Sequence, residues 1–345
     1  MSLSRFPRLV YRFIQLRYRK FVLSSSRFLL SPKFVSSSLV IGYSAGGKHD
    51  GLGAQFQRIL AINALGDFWN IPIRHSYVKQ IALHPLDGLE NYQDYELYLQ
   101  DFNRLIGSTQ SFGQGNNAVM YVDNLKFRHI IEVLLKIFLS RRFIELRITH
   151  PYFFIDAQTS LYLCQRNYEI RERLRSFTTE DNEHKISLHH RHGVGNMAIQ
   201  PGQVAPREIS LSAYSVILKS LIRRHPTMQL CIYTDAPEFD LYFRPPVEQK
   251  SSWKNLPSFD GDSMRVLGNS LKSIVELFPG SKVIRGGHPL QTLANMSTSS
   301  ILVLSRSSFG YVAALLSDNA EVYVPEDFWH PLLPGWYAFT ANGGD

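Results

Sequence analysis

From Lys185 onward, short apolar runs alternate with segments of helical period, and this alternation constrains the fold more than any other feature of the chain. Strands are expected at Lys185–Arg191, Gln229–Asp235, Lys282–Arg285, Ser300–Ser305 and Glu321–Pro325. Helical segments fall between most of them, at Ile209–Arg224, Leu267–Phe278, Pro289–Ser297 and Phe309–Leu316. Such repetition predicts a doubly wound parallel sheet with helices on both faces. The Pro-containing stretch Ala236–Arg265 reads as a long insertion after one strand.

The preceding part of the chain carries the same pattern less regularly. Ser38–Ser44 reads as a first core strand, followed by a Gly-bearing loop over Ala45–Gly53 and a helix near Ala54–Trp69. Ile71–His75 is expected as the next strand and Val119–Asp123 as another, with helices near Tyr92–Ile106, Phe127–Phe143 and Gln158–Ser176. The polar stretch Thr178–His184 marks the boundary between two α/β domains, 38–180 and 181–345, preceded by a leader, 1–37. A length of 345 residues fits two domains, and 44% hydrophobic with 19% charged residues fits a soluble globular class.

Charge is distributed unevenly. The net charge is +8, yet residues 1–49 hold nine Lys or Arg and no acid, which leaves the body close to neutral. A neutral body disfavours nucleic-acid binding, which calls for a basic face or groove. In the leader, Phe6, Leu9, Val10, Phe13 and Ile14 share one helical face, with Arg5, Arg8, Arg12 and Arg19 largely on another. That pattern suits peripheral contact with an anionic membrane surface. A helix packed on the body and a basic extension are the alternatives. The leader lacks an apolar run long enough to span a bilayer and the features of a signal peptide. Cys164 and Cys231 lie in apolar segments and read as free thiols in a reducing, cytoplasmic setting.

Arg191 ends the first strand of the second half, in the run His189-His-Arg-His-Gly193. Its planar fork of donors matches phosphate oxygens two at a time, and open α/β sheets bind ligands at the carboxyl ends of their strands. Two later strand ends carry compatible chemistry: Tyr233-Thr-Asp235, and Ser305-Arg-Ser-Ser-Phe309 ahead of a helix. Hydroxyls and free N–H groups at a helix N-terminus make an anion site. The structural alternatives are an ion-paired Arg191, Ser307 and Ser308 as simple helix caps, Asp235 as a turn residue, Asp50-Gly51 as a plain turn, and Arg285–His288 as an ordinary loop. His184, His189, His190 and His192 do not read as a metal site, because strand geometry sends 189 and 190 to opposite faces. Asp50, Asp235 and His75 are general-base candidates by residue type alone.

These segments resemble the fucosyltransferase superfamily, in particular its α-1,2-fucosyltransferase branch. The resembling runs are His189/Arg191/Gly193 for H-x-R-x-G-D, Tyr233-Thr-Asp235 for F-S-D, Ser305–Phe309 for N-S-S-F, and Asp50-Gly-Leu-Gly-Ala-Gln55 for G-G-L-G-N-Q. All four occur in the family's order across residues 38–330. Val194 stands where the first motif has Asp, so that carboxylate's role is not carried over; Gly310-Tyr311-Val312 follows the last motif differently. The resemblance implies two Rossmann-like domains facing a cleft (the GT-B arrangement), and metal-independent, inverting transfer of a sugar from a nucleotide donor, GDP-fucose, to a glycan hydroxyl. It implies that Arg191 stabilises the departing diphosphate, while His189, Gly193, Asp235, Ser307, Ser308 and Phe309 bind the donor and Gly51 and Gly53 approach it. No cofactor beyond that donor is implied. The rival readings are a non-catalytic glycan- or nucleotide-binding protein on the same scaffold, a transferase using another nucleotide sugar, and a phosphate-ester enzyme.

Overall fold

The structure, a computed structural model, describes residues 6–30, 38–45, 50–82, 92–108, 118–140, 143–179, 184–191, 209–234 and 271–340. The chain divides into two compact units: Met1–Ala82 with Leu99–Arg173, and Leu83–Tyr98 with Leu174–Asp345.

The first unit contains strands β1 (Leu39–Tyr43), β2 (Ala118–Asn124) and β3 (Ile144–His150) in a parallel sheet of order β1-β3-β2. Its helices are α1 (Phe6–Leu29), α2 (Leu52–Trp69), α4 (Phe127–Ser140) and α5 (Tyr152–Ile155), with α3 (Tyr92–Ile106) from Leu99 onward and α6 (Gln165–Arg175) as far as Arg173. Nearly every residue of α2 is buried: Leu52, Gly53, all of Gln55 through Gly66, and Trp69. A helix apolar around most of its circumference has to lie inside a domain, and Phe56, Ile59, Leu60 and Ile62 are fully covered here.

Two expectations are corrected in this unit. Residues 71–75 do not form a strand; Ile73 makes a single parallel bridge to Ile41. Pro72 has no N–H to donate, although its carbonyl accepts from Ile41 N at 3.1 Å, and the N–H of Tyr43 is taken by His75 Nδ1 at 3.1 Å instead of a backbone carbonyl. Conversely, β3 is a central strand in a stretch where none was expected, and it begins four residues after α4 ends at Ser140. Its alternation of Ile144, Leu146 and Ile148 with charged Glu145 and Arg147 resembles a strand with one wet face, yet both faces are buried. Glu145 and Arg147 pair with each other, and Arg147 Nη1 also donates to the Arg74 carbonyl at 2.7 Å. Burial dominates the shifts of both, pushing the Glu145 carboxyl up and the Arg147 guanidinium down to about 10.

The leader's second half is a packed helix. Val22, Leu23, Ser26 and Leu30 of the α1 region are buried, and Trp69 Nε1 donates to Ser26 Oγ at 3.0 Å. Arg19 lies 3.6 Å from Asp156 and over the Phe153 ring. Burying Val22, Leu23 and Leu30 stabilises this docking by roughly 1.5–3 kcal/mol per side chain. No helix among the described residues is long and apolar enough to cross a membrane.

The second unit contains β4 (Lys185–His190), β5 (Gln229–Thr234), β6 (Lys282–Arg285), β7 (Ile301–Val303), β8 (Glu321–Pro325) and β9 (Tyr337–Phe339). They form one sheet, β6-β5-β4-β7-β8-β9, parallel throughout. The connecting helices are α7 (Leu211–Arg224), α8 (271–277), α9 (Pro289–Ser297) and α10 (Ser308–Leu315). Strand β9 was not expected from sequence. Helices cover both faces of the sheet. Ile186 and Leu188 join α7 residues Ala213, Tyr214 and Leu218 and α8 residues Leu271 and Ile274 in one core. The alternate residue His189 points the other way, against α10. Numbered within this unit, the strand order is 3-2-1-4-5-6, the order of a doubly wound α/β domain.

Candidate functional site

In this order the sequence reverses direction between the first and fourth strands, here β4 and β7. Their carboxyl ends flank the topological switch point where open α/β sheets hold ligands. The register pairs Leu188 with Val303, so the residues leaving β4 run beside those leaving β7. Arg191 is the first residue beyond β4 and is buried, 9% exposed. Leu304 and Ser305 leave β7 and lead through Arg306 and Ser307 into α10.

One hydrogen bond ties the two strand ends together. His189 Nδ1 lies 2.7 Å from Ser305 Oγ. The His189 ring sits 5.8 Å from the Phe309 ring, and a Cβ at Gly310 would come within 3.1 Å of it. Glycine at 310 is therefore what lets the start of α10 approach β4 closely. On the opposite face, His190 Nδ1 lies 3.0 Å from Thr234 Oγ1, and its ring is 6.0 Å from Tyr214. The paired histidines thus brace β4 against its two neighbours, one on each side of the sheet.

The turn into α10 is held from below. Ser307 is the N-cap, in extended backbone with φ −139° and ψ 130°, and its Oγ accepts from Phe309 N at 3.3 Å. The other first-turn N–H groups of a helix have no intrahelical acceptor, which is the basis of anion binding at such ends. Ser308 Oγ lies 3.1 Å from His330 Nε2, which also accepts from Trp329 Nε1 at 2.8 Å. An indole nitrogen can only donate, so Nε2 is an acceptor and the Ser308 hydroxyl donates to it. Arg306 is buried and forks onto Asp327, with Nε to Oδ1 at 2.9 Å and Nη2 to Oδ2 at 2.5 Å. That paired guanidinium anchors the turn at the end of β7, while the guanidinium of Arg191 stands at the end of β4.

Five of the singled-out residues, His189, Arg191, Ser307, Ser308 and Phe309, thus come together at the ends of β4 and β7. Gly193 and Asp235 lie outside the described residues. Gly51 and Gly53 belong to the first unit, where Gly51 is the N-cap of α2 with φ −65° and ψ 164°. That is ordinary extended backbone, so Gly51 does not use the freedom peculiar to glycine. Sequence reasoning did not single out Ser305 as the partner of His189, nor Asp327 and His330, whose roles depend on contacts across about twenty residues. Among the described residues no cluster of three His, Cys, Asp or Glu is placed to hold a metal ion.

Of the general-base candidates, His75 is excluded by its surroundings. It is buried, its Nδ1 accepts from Tyr43 N, and its Nε2 lies 2.9 Å from Asn63 Oδ1. Desolvation, reinforced by Arg147 and Arg166, lowers its pKa to about 3. Asp50 is half-exposed and pairs with Arg58 at 2.5 Å, and its carbonyl accepts from Gln55 Nε2 at 2.8 Å. Burial pushes the nearby Tyr43 hydroxyl up to about 12, against the opposing pull of Arg58.

The chain matches no family model and no curated protein. Among solved structures it is similar to Escherichia coli heptosyltransferase WaaC with ADP-2-deoxy-2-fluoro heptose, at 8% identity and a TM-score of 0.43, covering 88% of this chain and 93% of that one. It is also similar to POFUT1 in complex with GDP, at 12% identity and a TM-score of 0.39, over 83% and 98% of the two chains. The NodZ α-1,6-fucosyltransferase co-crystallised with GDP is matched at 12% identity and a TM-score of 0.33, over 82% and 96%.

Proposed function

We propose that this protein is an inverting glycosyltransferase that uses a nucleotide-diphosphate sugar, with GDP-fucose the donor favoured by the sequence motifs. One observation carries the reading: a buried arginine and a serine-capped helix N-terminus end the two strands that flank the switch point of a doubly wound sheet. Ligands of such sheets sit at this point, and a diphosphate is the group that a guanidinium and helix N–H donors suit together.

In the proposed reaction an acceptor hydroxyl oxygen attacks the anomeric carbon while the bond from that carbon to the β-phosphate oxygen breaks. The hydroxyl proton leaves with a base or solvent, and the nucleoside diphosphate departs with the bonding pair. Arg191 holds the β-phosphate and stabilises that charge as it develops, an interaction whose loss costs roughly 10²–10³ in turnover. First-turn N–H groups of α10 and the hydroxyl of Ser307 complete the cradle, with the Ser308 backbone N–H among them and its hydroxyl held by His330. His189, bonded to Ser305, fixes the two strand ends at one separation.

Thermal unfolding with GDP, ADP, UDP and their sugars tests the donor, and glycosyl transfer or donor hydrolysis tests the chemistry. GDP and GDP-fucose should raise the melting temperature, and Arg191→Ala should lower transfer roughly 10²–10³-fold while the protein still folds. Stabilisation by a different nucleotide sugar only would replace the donor. Val194, where the family motif has Asp, favours a second reading, a nucleotide-binding protein without turnover; GDP stabilisation with neither transfer nor hydrolysis would select it.

A further inference from the structure

The first unit carries an apolar surface that the proposed chemistry does not use. On α1, Ile14, Tyr18, Phe21 and Phe28 are all exposed, Phe21 at 70% and Phe28 at 67%. Their spacing of four, three and seven residues puts them on one stripe of the helix, turned away from the side where Leu23 and Ser26 pack on the unit. Helix α4 packs against α1 and is apolar twice over. Its inner side buries Ile130, Val133, Leu134 and Ile137, while Ile131, Leu135, Phe138 and Leu139 remain exposed, Leu139 at 82%. Single exposed hydrophobic residues are common; two neighbouring helices that each expose four are a patch.

Charge identifies what covers this patch. Arg17, Lys20 and Arg27 are exposed on α1, within a stretch of 49 residues that has nine cations and no acid. Exposed Arg128 lies near the start of α4, the exposed Glu132 of that helix is paired with Lys136 at 2.8 Å, and Arg141 and Arg142 follow its end in sequence, so the charge of the face is net positive. A second copy of the chain would bring like charges together at such a face, whereas an anionic bilayer offers both phosphate groups for the cations and an acyl boundary for the aromatic side chains. We infer that α1 and α4 together form a monotopic docking surface for a membrane rich in anionic lipid, lying in its interface. Aromatic and aliphatic side chains enter the headgroup boundary, and Arg17 and Lys20 meet the lipid phosphates beside them. The attraction of these cations to the lipid phosphates weakens as salt rises.

Co-sedimentation of the full chain with phosphatidylcholine vesicles, with and without phosphatidylglycerol, tests this surface. The protein should pellet with the anionic vesicles, and less of it should pellet as salt rises. The double variant Phe21→Ser, Leu139→Ser should partition roughly tenfold more weakly at an unchanged melting temperature, because both side chains already face solvent. Arg17→Glu with Lys20→Glu should also weaken it at least roughly tenfold, and this pair alone decides the matter should the apolar variant melt early. Equal pelleting with neutral and anionic vesicles, or variants that bind like the parent, would overturn the inference. Self-association that needs Phe21 and Leu139, without vesicle binding, would make the face a contact between copies instead.

Discussion

His75 is neutral because of where its two nitrogens are spent. Nδ1 accepts the Tyr43 N–H, so the proton sits on Nε2 and is donated to Asn63 Oδ1. A folded-state pKa near 3 lies well below the ordinary histidine value. Between the two values the unfolded chain takes up a proton that the folded protein refuses. The stabilising contribution is therefore intact above about pH 6.5 and shrinks as pH falls towards 3, by up to about 1.4 kcal/mol per pH unit. Urea unfolding from pH 7 to pH 4 should show this slope, and His75→Gln should flatten it; an equal slope in both proteins would assign the acid sensitivity elsewhere. Gly42 gives a second expectation at a single position. A Cβ there would lie 1.8 Å from the Arg74 carbonyl oxygen, so Gly42→Ala must displace main chain in the middle of β1. It should cost more than about 3 kcal/mol in chemical denaturation, towards the extreme end for one substitution.

Elements whose physics is local were readable in the sequence. Strands β6 and β8 and helices α3 and α9 have the expected bounds, because each is a periodic run ended by Gly, Pro, Ser or a polar residue. Strand β3 was hidden because its buried alternate positions are Glu145 and Arg147, and their pairing cannot be seen along the chain. The same division applies at the switch point. Arg191 and the Ser307 cap follow from local pattern, whereas the His189–Ser305 bond and the Arg306 fork join residues whose proximity is set only by the fold. Arg306 lies within the same run as Ser307 and serves as an anchor in the structure. Removing its partner leaves a buried charge, so Asp327→Ala should destabilise the second unit by roughly 2–3 kcal/mol, while Arg306→Met, which removes the charge as well, should cost less. Unfolding midpoints of the two variants give the comparison, and equal losses would mean that the fork acts through packing alone.

The division into two units makes a nucleotide's effect on the whole molecule testable without reference to turnover. If the diphosphate site is at the carboxyl ends of β4 and β7, the ligand binds a site contained in one unit and adds stability there by mass action, about 2.7 kcal/mol at a hundredfold excess over its Kd. Hydrogen exchange resolves where that stability goes. Slower exchange on adding GDP should be strongest in β4, β7 and the first turn of α10, whose N–H groups would bond phosphate directly. The parallel core of β1, β2 and β3, with Gly51 and Gly53 beside it in the first unit, should change less with the diphosphate alone. Arg191→Ala should remove the protection at β4 and α10 together, because one ligand group ties them. Protection that instead concentrates around Gly51 and the start of α2 would move the phosphate site to the first unit, and with it the role assigned to Arg191. Protection of β4 that survives Arg191→Ala would leave the nucleotide in the second unit but held by other groups.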